Sequence, residues 1–253
     1  MPAKPKRGTA PIVIGTAILL LAAACIAGWF YLESQSSPLA AHAAASAAKA
    51  ASGKHAAHAS ASDSKYPYVD WDYWRSVNPD VIGWITVPGT HIDYPICKAP
   101  TTDPEHYLHY NVYNQWSPFG CPFIDADCLD GMNSRNVIIY GHNMGWDQSM
   151  FGDFEYFTDY GYAISHQRIY IQTPDSRFTV KTQAATVIGG WEADKYTDFH
   201  TWASYEKWWK DAYNSSQMKI YRKVPEAARQ TFTFCTCSYH FWDNERTLVY
   251  ALP

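Results

Sequence analysis

Two stretches near the C-terminus alternate apolar and polar residues in the way that β-strands do. Residues 231–237 have the sequence Thr-Phe-Thr-Phe-Cys-Thr-Cys, and residues 246–252 have the sequence Arg-Thr-Leu-Val-Tyr-Ala-Leu. This period of two predicts two strands, and the short connection 238–245 makes them neighbours. Arg246 opens the second strand, so we expect it to lie close to Cys237 at the end of the first.

A third strand-like run, far upstream, ends at a histidine. Residues 136–140 (Asn-Val-Ile-Ile-Tyr) are followed by Gly141, His142 and Asn143. A cysteine, a histidine and an arginine, each at the end of a strand, are the residue types that nucleophilic catalysis by a thiol requires. The sequence therefore predicts a nucleophilic site at these strand ends.

Further short strand-like runs, separated by Gly- and Pro-containing turns, fill most of the chain after residue 65. They lie at 81–87, 91–96, 122–125, 162–172 and 177–190. Helical spacing of apolar residues is confined to 69–76, 149–157 and 200–218. The last of these carries a stripe that we expect to pack on the domain, formed by Trp202, Tyr205, Trp208, Trp209 and Ala212. Many short strands and few helices predict an all-β-dominated barrel or sandwich, with one helix inserted before the last two strands.

The N-terminal region predicts a membrane anchor. Residues 12–32 contain no charge and have about the 20 apolar residues that cross a bilayer. The basic residues of segment 1–11 precede them, which predicts a cytoplasmic N-terminus, contact of the helix with membrane lipid, and a single-pass protein of the cell membrane. A cleaved signal peptide is the alternative, although its apolar region is usually only about 7–15 residues long.

The remaining chain divides into a stalk and a domain. Residues 33–65 are almost all Ala, Ser, His and Lys, which predicts a disordered stalk because such a composition buries no core. Residues 66–253 have the length of one domain, which we expect to be extracellular and catalytic. Lys and Arg number 20 against 24 Asp and Glu, without a basic block, so no nucleic-acid partner is expected.

Five of the six cysteines lie outside the predicted anchor. Cys121 and Cys128 bracket a short polar loop and are close enough in sequence for a disulfide, although the pairing depends on geometry. Cys97 is expected to be a buried apolar residue. Cys235, Cys237 and His240 could together bind zinc, but a fourth ligand is not evident and structural zinc usually has four.

Three blocks of this sequence resemble the sortase family, and within it class B. They are residues 78–96, which begin Asn-Pro-Asp-Val-Ile-Gly-Trp, residues 140–144 (Tyr-Gly-His-Asn-Met), and residues 233–237 followed by Arg246. The resemblance implies a closed β-barrel of about eight strands with an N-terminal helix, and the helix at 200–218 matches a class B insertion. Two positions depart from the family pattern. Phe234 replaces the usual Leu, and Cys235 occupies a variable position beside the nucleophile.

What the resemblance implies is a cysteine transpeptidase. Such an enzyme cleaves a secreted protein after the Thr of a C-terminal sorting signal and forms a thioacyl-enzyme on Cys237. It then transfers the protein to an amine of a peptidoglycan precursor or of a pilin. His142 would be the general acid and base, Arg246 would stabilise the oxyanion or a substrate carbonyl, and Thr236 would contact the substrate. No cofactor and no metal is expected.

The choice between the two neighbouring thiols depends on access. Cys235 and Cys237 point to the same face of their strand, so the direction of the side chain does not exclude either of them as the nucleophile. Cys237 lies at the strand end and Cys235 one step inside, which favours Cys237 as the nucleophile. With ordinary pKa values of about 8.5 for the thiol and 6.5 for the imidazole, about 3% of thiols and 24% of imidazoles would be charged at pH 7. Independent titration then leaves under about 1% of molecules with the thiolate–imidazolium pair.

Two other functional interpretations stay open at this point. One is a membrane-tethered, non-catalytic β-domain that binds surface proteins or glycans through its many aromatic residues. The presence of Cys237, His142 and Arg246 at strand ends argues against it. The other is a cysteine peptidase that hydrolyses its substrate. The papain-like signature and its order, cysteine before histidine, are absent.

Overall fold

A closed β-barrel forms the body of the molecule. The computed structural model describes residues 65–190, 196–241 and 244–253. Within them, nine strands form one sheet in the order β5-β1-β2-β3-β4-β8-β9-β6-β7. Because β5 also pairs with β6, eight strands close into a ring, and β7 is attached to β6. The strands are β1 Val81–Thr86, β2 Asp93–Lys98, β3 Phe123–Ile124, β4 Asn136–Tyr140, β5 Arg168–Gln172, β6 Arg177–Gly189, β7 Met218–Lys219, β8 Thr231–Ser238 and β9 Glu245–Leu252. The predicted barrel of about eight strands is confirmed.

Short helices connect the strands. They are α1 Trp71–Val77, α2 His106–His109, α3 Tyr160–Ser165 and α4 Trp202–Ser215, with 3-10 helices at Gly131–Asn133 and Gly152–Thr158. The side chain of Asp70 accepts a hydrogen bond from the backbone N–H of Tyr73 and so begins α1. Thr201 and Ser204 form a reciprocal capping box at the start of α4. The predicted N-terminal and inserted helices are therefore present, and the two-residue strand β7 follows the inserted one.

Aromatic residues fill the barrel and cover part of its outside. Inside the barrel, five phenylalanines are fully buried: Phe151, Phe154, Phe157, Phe232 and Phe234. Helix α4 packs on the outer face of β6 and β9 through a second apolar cluster. The buried residues of α4 are Tyr205, Trp209 and Tyr213, whereas Trp202 is 40% exposed. The predicted apolar stripe packs on the domain except at Trp202, and Tyr213 extends it towards the C-terminus.

One predicted strand is half helical. The segment 162–172 was expected to be extended, but Tyr160–Ser165 forms α3 and β5 begins only at Arg168. The side chain of Asp159 accepts a hydrogen bond of 2.8 Å from the backbone N–H of Tyr162. This cap satisfies a donor in the first turn, so the aromatic alternation in the segment does not decide its conformation.

The predicted disulfide between Cys121 and Cys128 is not formed. The thiol of Cys128 lies in the barrel interior and donates to the carbonyl of Asn136 at 3.4 Å. The thiol of Cys121 belongs to a different cluster, under α1, where it contacts Cys97. The two side chains thus point into separate cores, although few residues separate them in sequence. Cys97 is fully buried, as expected.

The predicted localisation as a single-pass membrane protein is not supported, and we withdraw it together with the lipid contact. In the part of the chain that the structure describes, no helix is long and apolar enough to cross a bilayer. The longest of these helices, α4, has 14 residues, about 21 Å, against a hydrocarbon core of about 30 Å. It also carries the exposed ion pair of Lys207 with Asp211. The predicted segments 1–11 and 12–32, and the stalk up to residue 64, lie outside the described residues.

Candidate active site

Strand register brings His142, Cys237 and Arg246 to one end of the sheet. β4 and β8 are parallel, with Tyr140 opposite Cys235, so that two residues later His142 is level with Cys237. β8 and β9 are antiparallel, with Cys237 directly opposite Arg246. Neighbouring strands lie about 4.8 Å apart, so three adjacent strand ends present the three side chains within about 10 Å.

The two thiols of β8 differ in exposure. Phe232 and Phe234 point into the barrel, so Cys235 and Cys237 face outwards. Cys235 is only 5% exposed, whereas Cys237 is partly exposed at the end of the strand. The structure therefore leaves Cys237 as the more accessible thiol, as the strand position predicted.

His142 is oriented by a backbone carbonyl. Its Nε2–H donates to the carbonyl oxygen of Leu108 at 2.8 Å, which leaves Nδ1 as the nitrogen available for proton transfer. Burial lowers the pKa of His142 below its ordinary value, and the nearby His109 and Arg246 lower it further. The hydrogen bond to Leu108 acts in the opposite direction but does not cancel the effect of burial. The neutral form of His142 is therefore favoured.

Gly141 allows the turn that presents His142. A Cβ atom at this position would lie 2.5 Å from the ring of Phe151, so any larger residue would displace that core side chain. The backbone N–H of Phe151 also donates to the carbonyl of His142 at 2.8 Å. The histidine is thus tied directly to the barrel core.

The hydroxyl of Thr236 makes a contact within the protein. This hydroxyl is buried and donates to the carbonyl of Gly141 at 2.8 Å. This bond joins β8 to the chain just before His142. The substrate contact of Thr236, through its backbone N–H or its hydroxyl, stays a prediction.

Arg246 lies between β8 and β6, opposite both Cys237 and Ile188. Its guanidinium donates from Nη1 to the carbonyl oxygen of Glu245 at 2.8 Å. Asp243, an acidic residue near Arg246 in sequence, lies outside the described residues. The carboxylate of Glu245 accepts hydrogen bonds from backbone N–H groups instead. The guanidinium is held by one backbone contact and keeps further donors for a ligand.

The comparisons with known proteins agree with this geometry. No protein-family model matches the chain. Sortase B of Listeria monocytogenes is 38% identical over 92 residues, which is 36% of this chain and 36% of that protein. Sortase B of Staphylococcus aureus is 24% identical over 176 residues, 69% of this chain and 70% of that protein. The matched segment thus spans about a third of the first relative and more than two thirds of the second.

Solved structures give the same family. The X-ray structure of Clostridium perfringens sortase B has a TM-score of 0.64 and 26% identity, and the match covers 71% of this chain and 97% of that chain. Together, these relatives and structures support a class B sortase. A Staphylococcus aureus sortase B–substrate complex has a TM-score of 0.67 at 18% identity, covering 87% of this chain and 97% of that chain, and shows the fold alone. The similarity to sortase B proteins supports an enzyme of the cysteine transpeptidase kind.

The backbone beyond Cys237 is fixed by a carboxylate that the sequence did not reveal. Glu155 accepts hydrogen bonds from the side-chain amide of Asn143 at 2.7 Å and from the backbone N–H of Tyr239 at 2.9 Å. The same amide nitrogen of Asn143 donates to the carbonyl of Cys237 at 3.0 Å. Tyr239 in turn donates from its hydroxyl to the carbonyl of Asn143 at 2.9 Å. Glu155 therefore joins the segment that follows His142 to the segment that follows Cys237.

A second carboxylate holds the same connection from the side of β9. Glu245 is fully buried and accepts from the backbone N–H groups of His240, at 2.8 Å, and Phe241. The hydroxyl of Ser238 also donates to it at 3.3 Å. No sequence signal identifies either glutamate, because the partners of Glu155 lie 12 and 84 residues away in the chain.

Two clefts flank the strand ends. One, of about 710 Å³, lies between α4 and the outer face of the barrel and is lined by Ile188, Trp208, Leu248 and Tyr250 among others. Leu248 and Arg246 are on the same face of β9, so this cleft leads towards Arg246. The other, of about 870 Å³, lies beside the chain that follows His142, and Asn143, Asp147 and Glu155 contribute to its lining.

Proposed function

We propose that this class B sortase is a cysteine transpeptidase whose nucleophile is Cys237. The observation that supports the proposal most directly is the placement of His142, Cys237 and Arg246 on three adjacent strand ends. Its substrates are secreted proteins with a C-terminal sorting signal, and its acceptor is an amine of a peptidoglycan precursor or of a pilin. The reaction joins the Thr of the signal to that amine.

In the first step the thiolate of Cys237 attacks the carbonyl carbon of the substrate Thr. The Sγ–C bond forms, and the negative charge that develops on the carbonyl oxygen is stabilised by the guanidinium of Arg246. The peptide C–N bond then breaks, and protonated His142 gives its Nδ1 proton to the leaving amine. The product of this step is a thioester on Cys237.

In the second step the acceptor amine attacks the thioester carbonyl. Neutral His142 takes a proton from this amine at Nδ1, and the Sγ–C bond breaks to regenerate the thiolate of Cys237. The lowered pKa of His142 suits this second role, because the neutral ring dominates at pH 7. The first role uses the minor protonated form, so we expect thioester formation to limit the rate.

The two clefts provide separate approaches for the two substrates. We assign the sorting peptide to the cleft under α4, because its apolar lining leads along β9 to Arg246. We assign the acceptor to the cleft beside Asn143, where Asp147 and Glu155 would attract a protonated amine. The amine releases this proton to solvent before it attacks the thioester, and His142 takes the second proton. Burial together with nearby Asp147, Asp153 and Asp93 raises the pKa of Tyr94 in this cleft, which is the direction that a negative potential produces.

The proposal is tested by incubating the full chain with a panel of Thr-containing sorting peptides and two amines, one from a peptidoglycan stem peptide and one a lysine side chain. Liquid chromatography with mass spectrometry is expected to detect a peptide cleaved after Thr and joined to one amine. Cys237→Ala is the control and forms no product. Binding of peptides without cleavage by the wild-type chain would favour the non-catalytic β-domain, and cleavage without transfer to either amine would favour a hydrolase.

A further inference from the structure

Two buried thiols touch each other away from the strand ends just described. Cys97 lies in β2 and Cys121 just before β3, and their Sγ atoms are 3.6 Å apart. Cys97 is 0% and Cys121 4% exposed. Of the other thiols in the described residues, Cys128 donates to the carbonyl of Asn136, and Cys237 is the proposed nucleophile. The contact between Cys97 and Cys121 has no part in the proposed reaction.

The backbone fixes both cysteines on neighbouring segments. The N–H of Cys97 donates to the carbonyl of Pro122 at 2.9 Å, and β2 pairs with β3 at Cys97 and Phe123. The N–H of Cys121 donates to the carbonyl of Tyr107 at 2.9 Å. A disulfide has an S–S distance of about 2.05 Å and joins residues on adjacent segments, so the sulfur atoms need to approach by about 1.5 Å.

The pair sits at the base of the segment that orients His142. Residues 98–120 lie between the two cysteines, and within them the carbonyl of Leu108 accepts the hydrogen bond from Nε2 of His142. Gly120, next to Cys121, has φ of +59°, and a Cβ atom there would lie 2.2 Å from the carbonyl oxygen of Tyr107. The end of the segment next to Cys121 is therefore packed closely against the backbone at Tyr107.

We propose that Cys97 and Cys121 form a disulfide that closes segment 98–120 at its base. The oxidant is a small disulfide such as oxidised glutathione. One cysteine thiolate attacks this disulfide, forms a mixed disulfide and releases one glutathione thiolate. The second cysteine thiolate then attacks the protein sulfur of the mixed disulfide and releases the second glutathione. The protein loses two hydrogens, and oxidised glutathione becomes two reduced molecules.

Burial of the two thiols determines when during folding the disulfide forms. It raises the pKa of the Cys97 thiol well above its ordinary value, and contact with Cys121 raises it further. Because the thiolate is the attacking species, the folded thiol pair reacts slowly. The bond therefore forms while segment 98–120 is still open during folding. Once formed, it is shielded from reductants by the same burial.

Refolding the full chain tests the cross-link without any need for activity. The chain carries Cys237→Ala and Cys128→Ser, is unfolded, and is refolded in a mixture of reduced and oxidised glutathione. Free thiols are then blocked with iodoacetamide, and the protein is digested with trypsin without reduction. Cys97 lies in the tryptic peptide 76–98, and Cys121 in the peptide 99–135, where the substitution removes Cys128. Failure of the proposed transpeptidation would leave this readout unaffected.

We expect one species in which these two peptides are linked, two hydrogen masses below their sum, that separates on reduction. We also expect the melting temperature of the refolded protein to fall by about 5–10 °C on reduction, given the 25-residue loop that the bond closes. A matched protein that also carries Cys97→Ser should show no such shift. Carbamidomethyl or glutathione groups on both cysteines of the refolded protein would overturn the proposal. If Cys128→Ser does not refold, fragmentation of the linked peptides from a chain with Cys128 intact assigns the bond.

Discussion

The two parts of the active site are held in place by different forces. His142, Cys237 and Arg246 are positioned by backbone pairing among β4, β8 and β9. The connection that leaves β8 has no such pairing in residues 239–241. It is fixed instead by the carboxylates of Glu155 and Glu245, which accept hydrogen bonds from its backbone.

Strand pairing brings His142, Cys237 and Arg246 together, whereas the two carboxylates set the precise position of the chain that follows Cys237. Strand register tolerates many side-chain changes, because its hydrogen bonds are made by the main chain. A carboxylate that accepts several N–H bonds is much more sensitive to substitution, because its removal leaves several donors without a hydrogen-bond partner at once. Substitutions in the two regions are therefore expected to differ in both size and kind of effect.

The largest effect is expected for the two thiols of β8. Cys237→Ala removes the attacking atom and should lower the rate of product formation by at least about 10³-fold. Cys235→Ala removes a buried sulfur and should leave the rate within about 3-fold. The measurement is the initial rate of transpeptidation with one sorting peptide. If only Cys235→Ala lost activity, the nucleophile would be Cys235 and the assignment to Cys237 would be wrong.

The next largest effect is expected for Arg246. Arg246→Gln removes the charge next to the developing oxyanion and should lower kcat about 10²–10³-fold. Arg246→Lys keeps the charge but not the forked geometry, so it should recover only part of this loss. Steady-state kinetics of the three proteins measure the effect. Equal kcat values for wild type and Arg246→Gln would remove the guanidinium from the mechanism.

A smaller effect is expected for Glu155, which touches no reacting atom. Glu155→Gln weakens the hydrogen bonds to Asn143 and Tyr239, and the resulting displacement of the chain after Cys237 should lower kcat/KM about 10-fold. Glu226→Gln makes the same chemical change at an exposed glutamate and serves as the control. Thermal melts of both variants distinguish a local displacement from general unfolding. A full rate in a folded Glu155→Gln protein would show that strand register alone positions the thiol.

The smallest effect concerns the pH dependence of His142. Because burial lowers its pKa, the unfolded chain binds the proton more readily than the folded one just below the ordinary value of about 6.5. The free energy of unfolding should therefore decrease as pH falls through this window, and the decrease should be less in His142→Gln. Arg246→Gln should move the pKa of His142 upwards, measured by NMR titration of the ring. An unchanged pKa would mean that Arg246 does not act on the imidazole.

The sequence predicted the backbone-positioned part of the site well. Alternation in β8 and β9, and the short connection between them, predicted the pairing of Cys237 with Arg246. The strand before His142 predicted its place at a strand end. These predictions succeed because strand periodicity and the proximity of chain neighbours are local properties.

The parts that failed depend on contacts between distant segments. Glu155 and the backbone N–H of Tyr239 come from segments 84 residues apart, and no local pattern marks their contact. Cys121 was paired with Cys128 on sequence distance, whereas the barrel wall places their thiols in different cores. Only α3 had a local signal, the capping residue Asp159, and the aromatic alternation after it concealed that signal.

The most direct test of the account is to locate the acyl group on the protein. The full chain is mixed with a sorting peptide in the absence of an amine, quenched with acid, and analysed by intact mass and peptide fragmentation. The account predicts a mass increase equal to the Thr-terminated fragment of the peptide, located on Cys237 and absent from Cys237→Ala. An adduct on Cys235, or cleavage of the peptide by a protein that never carries the fragment, would contradict it.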